Sequence, residues 1–186
     1  MIEVYFDFES EEIQNRPDYP PKPVGIALHV LSGFMKQTKY YAWGHPTGNN
    51  CSEEDAHHVV WTLMQDPSTW WIAHNTAFDA SILVEKWGLP FPWERSSDTM
   101  LLAFLHDPYG ELSLKPLATK HLRMPAEEQD AVQQWLIRNG VVRSNDKQWG
   151  AHISKAPASI VGPYAIGDVI RTEHLLNFYR IQGVTA

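Results

Sequence analysis

Acidic residues recur in three short groupings of the sequence, and each grouping suits the binding of a cation. The first is Asp7-Phe8-Glu9. On a strand, residues two apart point the same way, so both carboxylates leave one face with a phenylalanine buried between them. Two unpaired carboxylates at the end of a central strand repel each other, and a divalent cation resolves that conflict. The second is Asn75-Thr76-Ala77-Phe78-Asp79. Asn75 suits a strand-to-helix turn, and Asp79 then falls in the first turn of the helix. An acid there also complements the helix dipole, which by itself stabilises by about 0.3–1 kcal/mol. The third is Tyr164-Ala165-Ile166-Gly167-Asp168. Tyr164 and Asp168 are four apart and share a helix face, either as a site or as a plain surface pair. Gly167 costs about 1 kcal/mol relative to alanine inside a helix, and is tolerated where something must approach the backbone.

The elements that must position these residues follow from periodicity. Ile2–Phe8 alternates Ile2, Val4, Phe6 and Phe8 against Glu3, Tyr5 and Asp7, a strand with enough apolar residues to be central. Val24–Leu31 and Thr38–Trp43 are two more strands, joined by the short connection of antiparallel neighbours. Trp70–His74 is a short buried strand after the Asp66-Pro67 break. Helices are expected from Ser52 to about Gln65, over Ala77–Trp87, from Ser97-Asp98 to about Leu105, over Ser113–Leu122 and over Glu127–Arg138. Asn139–Gly162, rich in Gly, Ser, Pro and Asn, is expected to be a long loop. A last helix begins near Ser159 or Tyr164 and runs to Arg180.

With 186 residues and 21.3 kDa, the chain is expected to form one domain over 1–186. Hydrophobic residues at 44% and charged residues at 20% exclude disorder and fibrous repeats. No apolar run is long enough for a membrane span, and the N-terminus lacks the basic start of a signal peptide. A single cysteine, Cys51, excludes an internal disulfide and a multi-cysteine zinc site, which suits a cytoplasmic location. The net charge is −7, unevenly spread: residues 1–112 hold 6 Lys/Arg against 16 Asp/Glu, and residues 113–155 hold 7 against 4. The acidic part suits divalent cations, although most single carboxylates are solvated surface. Lys115, Lys120, Arg123, Arg143, Lys147 and Lys155 in the basic part either guide phosphates or merely offset nearby acids. His57-His58 are expected at the surface, His74 as structural or near a pocket, and Trp70-Trp71 in the core.

Taken together, the three groupings resemble the three motifs of the DEDD superfamily of 3′→5′ exonucleases: D-x-E, N-x-x-F-D and a late Y-x-x-x-D. Pro163 stands five before Asp168 and Tyr164 four before, so the chain is similar to the tyrosine branch, with phage and bacterial family A polymerase proofreading domains as members. The resemblance spans about Ile2–Tyr179 and also takes in Asp98-Thr99. It implies an α/β fold, an RNase H-like mixed five-stranded sheet flanked by helices. It implies that Asp7, Glu9 and Asp168 hold one Mg²⁺ or Mn²⁺ ion, with Asp7 bridging to a second held by Asp79. Tyr164 would orient the attacking water, while Phe8, Asn75, Phe78 and Lys155 would bind substrate. The expected substrate is the 3′ end of single-stranded DNA, in proofreading for a phage-like replication system in the bacterial host cytoplasm. A polymerase domain or subunit is the expected partner, with no membrane involved. An RNase D-like exoribonuclease and a catalytically inactive scaffold are the alternatives, and the presence of all five motif side chains argues against the scaffold.

Overall fold

The first strand, Ile2–Ser10 (β1), is covered on both faces, with Val4, Phe6 and Phe8 buried on one and Tyr5 and Glu9 on the other, as a strand in the middle of a sheet must be. The computed structural model describes residues 1–184. On one side β1 pairs antiparallel with Pro23–Ser32 (β2), which in turn pairs antiparallel with Met35–Ala42 (β3). On the other side it pairs parallel with Thr69–Ala73 (β4), and β4 pairs parallel with Ser96–Asp98 (β5). The order is β3-β2-β1-β4-β5, the mixed five-stranded sheet that the resemblance implies. Four strands coincide with the apolar runs of the sequence. The fifth, Ser-Ser-Asp, has no alternation to betray it and exists only because β4 offers it a free edge.

The two faces of the sheet carry separate cores. Val4, Phe6 and Phe8 pack with Ile26 and Trp71 beneath two helices, Glu53–Gln65 (α1) and Thr76–Glu85 (α2). Ser52 caps α1 through a reciprocal capping box with Asp55, as the Ser-Glu-Glu-Asp start suggests. On the opposite face Tyr5, Ala27 and Ile72 pack against Thr99–His106 (α3), Leu114–Leu122 (α4), Glu127–Arg138 (α5) and Ala158–Ile181 (α6). No described helix is long and apolar enough to cross a membrane.

The expected long loop is shorter than Asn139–Gly162. Residues Trp149–Lys155 wind into a 3-10 turn that sinks Trp149 and Ile153 into the core, and α6 starts at Ala158. Pro157 stands at the N-cap, and Pro163 lies in the second turn of α6, where it removes the main-chain hydrogen bond to the Ser159 carbonyl.

Candidate active site

The site forms where β1 outruns its neighbour. Pairing between β1 and β4 ends at Tyr5, so residues 7–9 extend past β4 into space that α2 fills. There the Phe8 N–H, with β2 on the other edge and no strand on this one, donates to Asp79 Oδ1 at 2.8 Å. The second motif is thereby fastened to the first. Across the sheet, α6 brings Asp168 to the face that Asp7 and Glu9 share, and one carboxylate oxygen from each of the three lies within 4.8 Å of the others. Asp79 stands beside this trio rather than in it, buried and held on the main chain of β1.

The electrostatics are those of crowded carboxylates in a low-dielectric place. Burial, then the charge of Asp168, pushes the Asp7 carboxyl up to about 7, with Lys115 opposing. Glu9 is pushed well up by burial and by Asp7 and Asp168, and Asp79 by burial and Asp7. Asp168 is raised by burial against the pull of Lys115 and Arg171. Burial and the same acids hold the Tyr164 hydroxyl well above its ordinary range, so it stays protonated.

These residues fit a divalent cation. Glu9 is only 6% exposed, yet its Oε1 is buried with no hydrogen-bond partner. A hard oxygen-only donor set with an unsatisfied buried carboxylate favours Mg²⁺ or Mn²⁺ over a softer metal.

The carboxylates open onto a cleft of about 590 Å³, walled also by Phe78, Tyr164 and the Lys147–Ile153 segment, with Glu11 and Glu12 at its rim. Tyr164 packs edge-on to Trp149, ring centres 6.3 Å apart. Of the residues expected to meet substrate, Phe78 lines the cleft. Phe8 needs correction: its ring is 4% exposed, edge-on to Trp87 on the other side of the sheet, so it can offer a substrate only main chain. Strand alternation that points Asp7 and Glu9 into the site points Phe8 away. Asn75 is exposed at the turn, its backbone left-handed at φ 68°, and does not line the cleft. Lys155 is exposed on an adjoining depression with Glu11 and Glu12. Within the basic segment Lys147 faces the cleft, whereas Lys115 is bound to Asp168 Oδ2 at 2.5 Å.

Two residues mattered more than their sequence suggested. Asp98 caps α3 through the Met100 N–H at 2.8 Å and also accepts from the Asn75 and Thr76 N–H groups at 3.0 and 2.9 Å. It therefore ties down the turn that delivers Asp79. Arg171 reaches Asp168 Oδ1 at 3.4 Å and pairs with Glu128. A methyl at Gly167 would lie 2.7 Å from Arg171 Nη1 and 2.8 Å from Glu128 Oε1, so this ion pair is what approaches the backbone there. The less specific candidates are structural. His74 bridges Thr99 Oγ1 and the Leu112 carbonyl, His57 meets the Trp87 carbonyl, and Trp71 is in the core.

A mixed sheet in this order, with acids gathered at the end of its central strand and on the last helix, defines an RNase H-like exonuclease fold. The family model DNA_pol_A_exo1, described as 3′-5′ exonuclease, matches residues 3–179. The chain belongs to this 3′-5′ exonuclease family, and the enzyme is a hydrolytic nuclease. A search of curated protein sequences finds no match. Among solved structures, Brucella melitensis NrnC with bound Mg²⁺ is 17% identical with a TM-score of 0.56, over 96% of this chain and 72% of that one. Escherichia coli RNase D, an exoribonuclease involved in structured RNA processing, is 17% identical with a TM-score of 0.51, over 97% of this chain and 40% of its own. At these identities the likeness is one of fold.

Proposed function

We propose that the chain removes nucleoside monophosphates one at a time from the 3′ end of single-stranded DNA. The observation that carries the reading is the convergence of Asp7, Glu9 and Asp168 oxygens within 4.8 Å at the cleft, with Glu9 Oε1 left unpartnered. In this reading Asp7, Glu9 and Asp168 hold one Mg²⁺ or Mn²⁺, and Asp7 with Asp79 a second. When bound, such ions lower the pKa of water and stabilise charge on phosphate oxygens. The protonated Tyr164 hydroxyl positions the attacking water, Phe78 packs against the terminal nucleotide, and Lys147 meets a phosphate. Attack breaks the bond between phosphorus and the 3′ oxygen, which leaves with the shortened strand as a hydroxyl. A net charge of −7 makes unaided binding weak, which favours delivery of ends by a polymerase domain or subunit.

The second reading, an exoribonuclease, draws on the fold shared with RNase D. Timed digestion of 3′- and 5′-labelled single-stranded DNA and RNA, with and without Mg²⁺, separates the two. Faster loss of the DNA 3′ label supports proofreading, and faster loss of the RNA label supports the second reading. Full cleavage in excess EDTA overturns both.

A further inference from the structure

Each oxygen of the Asp168 carboxylate carries a cation, and the two cations are anchored differently. Arg171 is anchored by more than Asp168: its side chain is 4% exposed, it pairs with Glu128, and it donates to the Pro125 carbonyl at 2.6 Å. Lys115 has a single hydrogen-bonded partner, Asp168 Oδ2 at 2.5 Å, and otherwise lies 4.0 Å from the centre of the Tyr164 ring. It hangs on a flexible stem from the first turn of α4, and its side chain is 16% exposed. A helix N-terminus disfavours a cation, so the acid cluster rather than α4 holds the ammonium where it is.

We propose that Lys115 is an exchangeable counter-cation, occupying Asp168 Oδ2 when the cluster is metal-free and yielding that oxygen when a divalent cation is bound. The inference rests on the reading that Asp7, Glu9 and Asp168 hold the metal. Lys115 then sets the metal concentration at which the nuclease becomes active, for three reasons that act in one direction. It competes for a ligand atom, its charge repels an incoming cation, and it relieves the carboxylate repulsion that would otherwise favour metal binding. Arg171 cannot take the part, because moving it would strand half-buried Glu128 and the Pro125 carbonyl.

The test titrates the full chain with Mn²⁺ alone, without nucleic acid, at about pH 8, where metal competes least with protons for carboxylate ligands. Calorimetry on the wild type and Lys115→Met is expected to show binding on the order of tenfold tighter in the variant. Lys115→Met should melt lower than wild type without metal, with the gap closing at saturating Mn²⁺, because metal bound only by the native state offsets the loss. Unchanged or weaker Mn²⁺ binding by Lys115→Met overturns the exchange. A wild type that takes up no Mn²⁺, or an Asp168→Asn variant that binds it as well as wild type, overturns the metal-site reading itself. Should Lys115→Met not fold without metal, ¹³C-dimethylated wild-type protein provides an independent readout. The Lys115 signal, assigned by its loss in Lys115→Arg, is expected to move on titration with Mg²⁺, and a signal indifferent to Mg²⁺ overturns the exchange.

Discussion

Tyr164→Phe keeps the ring between Trp149 and Lys115 and deletes only the hydroxyl, so it separates water positioning from packing. A group of this kind contributes typically 10²–10⁴-fold, and about 10²-fold loss of kcat is expected because the carboxylates remain. Single-turnover cleavage with saturating Mg²⁺ measures it, and an unchanged rate would make Tyr164 a packing residue. Asp7 gives a prediction with a definite sign. Its folded value of about 7 lies above its ordinary 3.8, so between those limits the native state holds a proton that the unfolded chain has lost. Stability from this group is therefore fully present below about pH 4 and is lost as pH rises to about 7. In EDTA, the melting temperature of wild type relative to Asp7→Asn should fall from about pH 5 to about pH 8. A flat or rising difference would show that Asp7 is not under this strain. Because the metal needs the ionised form, the Mg²⁺-induced rise in melting temperature should be larger at the alkaline end.

The turn between β4 and α2 decides where Asp79 lands, and Asp98 at the end of β5 holds it with two of its three main-chain hydrogen bonds. Asp98→Ala strands those N–H groups, and a loss of about 1–3 kcal/mol is expected, read by urea unfolding. The same variant should lower kcat although Asp98 does not line the cleft, since Asp79 begins from this turn. Full activity in Asp98→Ala would mean that the Phe8 N–H alone suffices to seat Asp79. At Asn75 the left-handed backbone sets a complementary rule. Asn75→Gly should be nearly neutral, whereas Asn75→Val should cost about 1–2 kcal/mol by the Cβ clash.

Across the whole molecule, an acidic protein must bind a polyanion, and the placement of its few cations limits how. Lys147 lies on the cleft wall, while Lys120 is exposed on α4 away from it. Single-strand affinity in Ca²⁺ should fall with salt at a slope near −0.7 per neutralised phosphate. Lys147→Glu should flatten that slope and Lys120→Glu should not. The reverse result would send the strand over α4. What the sequence determined by itself is whatever depends on near neighbours along the chain. Alternation in Ile2–Phe8 placed Asp7 and Glu9 on one face, Ser52 and Asp55 marked the start of α1, and the four-residue step joined Tyr164 to Asp168. Motif order did the rest for the family. The tertiary structure decided what depends on distant segments meeting. Asp79 meets Phe8 across 71 residues and Lys115 meets Asp168 across 53, and no local pattern encodes either pair. Likewise β5 formed from three polar residues because an open strand edge was waiting, and Lys115, which by charge alone could guide phosphates or offset nearby acids, proved to belong to an acid 53 residues away. A lone lysine in a sequence shows its charge, and only the packing of α4 on α6 shows which charge it neutralises.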